Sequence, residues 1–185
     1  MTLANSGVHS QGEPSMRILC SQKLWRFARA WDIWGTTEPR AASGLLGSWA
    51  ATRFQEEGVD LVIAISKSTY LTVVFPFREP PGFCVLFREA LADALEDLGV
   101  PAARVKVELA ALEALDFEWL RDSTLRSVLR DLETNCAIEL AYHQNLRIVQ
   151  LNLNEVPHGS LAGHIPSDAV AKLLGSDATP VKRLH

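Results

Sequence analysis

Two β-branched and aromatic runs, Val59-Asp60-Leu61-Val62-Ile63-Ala64-Ile65 and Thr69-Tyr70-Leu71-Thr72-Val73-Val74-Phe75, are separated only by Ser66-Lys67-Ser68. Nothing else in the chain restricts the fold as tightly. Strands joined by so short a link pair as an antiparallel hairpin, because a parallel return needs a crossover of a dozen or more residues. Pro76, Pro80, Pro81 and Gly82 end the second run, since proline has no N–H to give a ladder. Immediately afterwards Phe83, Leu86, Phe87, Ala90, Leu91, Ala94, Leu95 and Leu98 form a helical stripe, with Gly99 at the place of a left-handed C-cap. An apolar sheet face and an apolar helix stripe bury each other, so the chain is expected to be one α+β domain: a small, mostly antiparallel sheet packed against several helices.

The other elements follow from caps and spacing. Arg17 to Cys20 is a short apolar opening. Ser21 stands where an N-cap belongs, before Leu24, Phe27, Ala28, Trp31 and Trp34, so a helix is expected over 22–34. Gly35 to Gly44 is a loop by its Gly, Thr, Pro and Ser content, and Leu45 to Ala51 restarts order as either strand or helix. Pro101 can open a helix that turns Val105, Leu109 and Leu112 inward, and residues 114–119 suggest a short strand. Asp122 or Ser123 caps a helix with Leu125, Val128, Leu129 and Leu132 on its face, continuing towards Ile138 and Ala141 as one helix or two pieces. The alternation of Leu146, Ile148, Leu151 and Leu153 predicts a strand over 146–153, and Pro166 opens a final helix through Leu174.

Length decides the domain count: 185 residues suffice for one substantial core and not for two. The expected division is a disordered leader over 1–15, rich in Ser, Gly and Gln, a folded domain over 16–175 and a flexible tail over 176–185. The leader has no basic start and no apolar stretch, so it is not expected to act as a secretory signal. Cys20, Cys84 and Cys136 are an odd set inside apolar segments, which points to reduced core thiols and a cytoplasmic protein. No apolar run approaches the ~18 residues of a membrane span. Residues 41–120 carry twelve acids against six bases. That surface repels polyanions, which disfavours extensive nucleic-acid binding.

Several short words recur in a fixed order: Ile18-Leu19-Cys20-Ser21-Gln22-Lys23-Leu24, Leu46-Gly47-Ser48-Trp49, the hairpin, Leu86-Phe87-Arg88-Glu89-Ala90-Leu91, Arg126-Ser127-Val128-Leu129 and Leu153-Asn154-Glu155-Val156-Pro157. In this order and spacing, over about residues 16–174, the chain resembles a bacterial family designated DUF6933, a domain of unknown function. The resemblance implies the fold boundary but no substrate or cofactor. The sequence departs from the family pattern at Ala51, where Asn is common, which removes one polar group, and at Arg130, where a small residue is common, which argues against carrying over a site near that helix.

The polar or amphipathic members of those words, Ser21, Gln22, Lys23, Trp49 and Asn154, are the candidates for a shared pocket. Their structural alternatives are a helix cap, a core indole and a turn. Lys23, Arg26 and Arg29 recur every third residue beside Trp25, a basic aromatic strip able to meet an acidic protein or, secondarily, nucleic acid. Cys20 would be a nucleophile only if the following helix N-terminus lowered its pKa; its apolar neighbours favour a buried thiol. Ser48 lacks the second Gly of a nucleophile elbow, and the Gly44–Ser48 stretch lacks the Lys of a phosphate loop. His143, His158 and His164 have no ligand spacing, so neither metal nor cofactor is expected. A non-enzymatic protein-binding or regulatory module is therefore the first expectation, and a small hydrolase with its site near Cys20, Lys23 and Trp49 the alternative.

Overall fold

The computed structural model describes residues 16–30, 44–79, 82–112, 115–157 and 165–175. The expected leader, the tail, the helical extension through Trp31 and Trp34, most of the 35–44 loop, and His158 and His164 lie outside the described residues. Eleven elements follow in chain order: β1 (Met16–Cys20), α1 (Gln22–Ala30), β2 (Trp49–Glu56), β3 (Val59–Ser66), β4 (Thr72–Pro76), α2 (Gly82–Asp97), α3 (Ala102–Ala110), β5 (Leu115–Trp119), α4 (Ser123–His143), α5 (Leu146–Glu155) and α6 (Pro166–Leu174).

The protein is a single α+β domain with a five-stranded sheet in the order β4-β3-β2-β1-β5. The expected hairpin is β3–β4, with Ile65 opposite Thr72 and Leu61 opposite Pro76. A second hairpin precedes it. Glu57 and Gly58 both have positive φ, the turn conformation whose twist matches that of paired strands, so β2 folds back on β3 with Glu56 opposite Val59. Of the stretch left open between strand and helix, Trp49 to Ala51 are strand, and Leu45 to Ser48 form the turn that leads into it. The meander is antiparallel, whereas β1 runs parallel to both β2 and β5, so the sheet is mixed. The β1–α1–β2 passage is the helical crossover that a parallel pair requires.

Alternation along the strands divides the core between two faces. Ile18, Trp49, Ala51, Val62, Val73 and Phe75 face a cluster that includes Leu24 and Ala28 of α1, Phe83, Phe87 and Leu91 of α2, Val105 of α3 and Val170 of α6. Ala50, Phe54, Leu61, Ile63 and Val74 face α4 and α5, meeting Leu125, Leu129, Leu132, Val149 and Leu153. α2 ends as expected: Gly99 has φ +68°, and the Val100 N–H returns to the Leu95 carbonyl. α4 is one continuous helix, capped by Asp122, whose Oδ1 accepts the N–H groups of Thr124 at 2.9 Å and Leu125 at 3.1 Å.

The expected strand over 146–153 is a helix instead. Asn145 caps α5 by accepting the N–H groups of Arg147 and Ile148, and the buried residues are Val149, Gln150, Leu153 and Asn154, spaced one helical turn apart. Two of these four are polar, so the buried stripe does not register as apolar. The imperfect alternation instead counted Ile148, which the helix leaves exposed.

Candidate functional site

The residues singled out in the sequence do not converge on one pocket. Ser21, directly after β1, caps α1: its carbonyl accepts the Trp25 N–H at 2.8 Å, and its Oγ lies 3.5 Å from the Leu24 N–H. That hydroxyl donates to Thr52 Oγ1 at 2.9 Å, Thr52 donates in turn to Glu133 Oε1 at 2.8 Å, and Lys23 Nζ closes the chain on Glu133 Oε2 at 3.2 Å. Strand, helix cap and α4 are thereby joined by a run of polar groups at the carboxyl end of β1. The Ser21 proton points to Thr52, whose own proton is committed to the carboxylate. The arrangement fastens α1 to α4 rather than presenting an activated hydroxyl.

Cys20 is buried and its Sγ approaches the Ile18 carbonyl at 3.6 Å. Desolvation pushes its pKa far up, the reverse of what a nucleophilic thiolate needs. Cys136 is pushed up to about 12 by burial, with Glu56 and Glu139 adding repulsion. All three cysteines are free. Trp49 is fully buried with its ring edge-on to Phe87 at 5.1 Å between centroids, on the sheet face opposite Thr52. Its indole N–H has no hydrogen-bond partner among the described residues.

Asn154 does not build a turn. It lies on α5 and grips the outer edge of β4: Oδ1 accepts the Thr72 N–H at 2.7 Å, and Nδ2 donates to the Thr72 carbonyl at 2.8 Å. One turn earlier, Gln150 Oε1 accepts the Val74 N–H at 2.9 Å while its Nε2 donates to the Ala90 carbonyl of α2 at 3.1 Å. Pro76, at the next outward position, has no N–H to satisfy. Asn154 and Gln150 thus replace a sixth strand with side-chain amides, sealing an edge that would otherwise template pairing. A bidentate pair between Arg147 and Asp97, at 2.8 and 2.6 Å, ties α5 to α2 across the same edge. The cleft they leave, about 170 Å³ and lined by Val74, Phe75, Leu86, Ala90 and Gln150 among others, is smaller than the ~300–1,000 Å³ typical of drug-sized ligand sites.

Glu133, Thr52, Gln150 and Glu108 escaped the sequence reading. Glu108 is buried on α3, where its carboxylate accepts the N–H groups of Leu45 at 2.8 Å and Leu46 at 3.2 Å. A signal existed for Glu108: it falls one turn from Val105 and Leu112 on the inward stripe, an acid at an apolar position. Glu133 and Thr52 carry no comparable local mark.

Helix α1 divides its basic residues. At about 100° per residue, Leu24, Phe27 and Ala28 face inward, Lys23 lies on one flank and Trp25 on the other, and Gln22, Arg26 and Arg29 share the outward face. Lys23 is exposed but drawn to Glu133, so it is not part of a continuous strip. Gln22, Arg26 and Arg29 are exposed. Trp25 meets Trp119 of β5 edge to face at 6.1 Å, and Trp119 stays 37 % exposed. Among the described residues no three His, Cys, Asp or Glu side chains gather as metal ligands, and no helix is long and apolar enough to cross a membrane.

What these features define is a mixed-sheet α+β domain with one chemically sealed edge and an aromatic-basic surface at the other. Residues 17–169 match the family model of the domain of unknown function DUF6933, and the chain belongs to that family. No curated protein matches it.

Proposed function

We propose that this protein is a non-enzymatic protein-binding or regulatory module of the bacterial cytosol, and that it contacts its partner through the outward face of α1 and the adjoining Trp25–Trp119 pair. The observation that carries the reading is the combination of exposed Arg26 and Arg29 with a partly exposed tryptophan on a rigid element, the residue types that dominate interface energies. The free cysteines accord with a reducing compartment. The hydrolase alternative is weakened by the buried, protonated state of Cys20 and by the internal commitment of the Ser21 hydroxyl.

The test is quantitative affinity capture with the wild-type chain and with Arg26→Glu combined with Arg29→Glu, each checked for an unchanged urea midpoint. Reversing two exposed charges alters association more than folding. Proteins recovered by the wild type should be depleted at least tenfold with the variant. Equal recovery of every partner would sink the α1 interface.

A further inference from the structure

The two edges of the sheet are treated oppositely. Along β4 the outward N–H groups of Thr72 and Val74 are bound by Asn154 and Gln150, and proline fills the next position. Along β5 the Leu120 N–H donates to the Cys20 carbonyl at 2.9 Å, which fixes the phase of the β1–β5 ladder. The even-numbered residues of β5 therefore turn their N–H and C=O groups towards β1. Those of Leu115, Phe117 and Trp119 turn outward, and no described residue hydrogen-bonds them. Along this strand Leu115 and Asp116 are half-buried, the Phe117 side chain is buried in the core, and Glu118 and Trp119 are exposed. This is an unpaired strand edge with regular backbone donors and acceptors, the surface that peptide recognition by strand addition uses.

The side chains of β5 select what can dock. Asp116 and Glu118 project on one face, and Leu115, Phe117 and Trp119 on the other. A second copy pairing antiparallel about Phe117 would place Asp116 of one chain opposite Glu118 of the other, a like-charge contact that opposes self-association. Arg17 of β1 already bridges to Glu118 at 2.9 Å, so a new strand bearing bases on that face would extend an alternating charge ladder. On the other face the incoming side chains would meet Trp119 and, behind it, Trp25.

We propose that the outer edge of β5 accepts an extended segment of a partner protein as a sixth strand, with Lys or Arg facing Asp116 and Glu118 and apolar or aromatic residues facing Trp119. This rests on the protein-binding reading above and specifies its mode.

Residue-resolved amide exchange of the full chain tests it, with two capped probe peptides of β5's length, one alternating Lys with Val and one alternating Glu with Val. In the free protein the amides of Leu115, Phe117 and Trp119 exchange faster than those of Thr72 and Val74. The Lys–Val peptide slows the three β5 amides about tenfold or more, and the Glu–Val peptide does not. Glu118→Lys weakens the Lys–Val peptide by about two- to fivefold, the size of one cross-strand charge pair. Trp119→Pro, which removes an outward N–H while leaving the β1 ladder intact, abolishes protection, and Trp119→Ala, which keeps that N–H, separates backbone pairing from loss of the ring.

Failure of the Lys–Val peptide to bind at millimolar concentration overturns the proposal, as does undiminished binding by a folded Trp119→Pro protein. Chemical-shift changes confined to Gln22, Arg26 and Arg29, without protection at β5, overturn strand addition and leave the α1 interface standing. A dimer in sedimentation with a protected Phe117 amide shows a second copy in the edge and overturns the assignment of the occupant.

Discussion

Replacing Asn154 by leucine tests whether α5 holds the fold by imitating a strand. Asn154 is 2 % exposed, and its carboxamide satisfies both the N–H and the C=O of Thr72 besides the Gln150 carbonyl. Leucine has similar bulk, so the cavity contribution is small and the loss is polar. Each buried backbone group left without a partner costs about 1–3 kcal/mol. Two such groups on Thr72 give a loss of about 2–6 kcal/mol, reduced towards the lower end if water reaches the edge. For a domain of this size each kcal/mol lowers Tm by about 2–4 °C, so Asn154→Leu should melt roughly 4–24 °C below wild type, towards the lower end if water reaches the edge. Urea unfolding followed by circular dichroism measures the same loss as a shift in midpoint at constant slope. Asn154→Asp supplies the internal control. It keeps an acceptor for the Thr72 N–H but sets an oxygen against the Thr72 carbonyl, so burial and that repulsion raise its folded pKa above the ordinary ~3.9. A raised carboxyl favours the protonated folded state. The Asn154→Asp protein should therefore compare best with wild type below about pH 4 and worsen as pH rises through the shifted value. An Asn154→Leu protein within about 0.5 kcal/mol of wild type, the spread of ordinary surface substitutions, would refute the edge-sealing argument.

Leu91 is fully buried on α2, and Leu91→Asp should abolish cooperative unfolding, since an unpaired buried carboxylate costs several kcal/mol; a retained sharp thermal transition would show the helix face misassigned. A Cβ on Gly44 would stand 2.5 Å from Glu108 Oε2, so Gly44→Ala should displace the carboxylate from the Leu45 and Leu46 N–H groups and cost about 1–3 kcal/mol, read as a lower urea midpoint. Burial raises the pKa of Cys20 and Cys136, so their contribution to stability is complete below the unfolded thiol value of 9.0 and is lost as pH rises above it; Cys20→Ala should lose less stability than wild type between pH 8 and pH 10. In a thiol-labelling time course at pH 8, half-buried Cys84 should react first, with Cys20 and Cys136 modified only on unfolding.

Much of this architecture is local and was therefore visible in the chain itself. Strand alternation over Val59 to Phe75, the stripe of α2 with its terminal Gly99, and the Asp122 and Pro166 helix starts depend on side chains within one or two turns of each other. Backbone geometry fixes their consequences without reference to the rest of the molecule. The same locality made Cys20 legible as a core thiol and Ser21 as a cap. What only the folded chain decided involves partners far apart in sequence. Asn154 and Gln150 look like polar interruptions until β4, 82 and 76 residues earlier, supplies backbone groups for their amides. Only then is 146–155 favoured as a helix rather than a strand. Lys23 belonged to a basic strip on spacing alone, but Glu133, 110 residues away, draws it to α4 and leaves Arg26 and Arg29 as the outward charges. Parallel pairing of β1 with β5, and hence the place of β5 at the end of the described sheet, likewise has no local signature, because either strand is sterically competent to pair with any other. The choice is made by which arrangement buries both sheet faces at once.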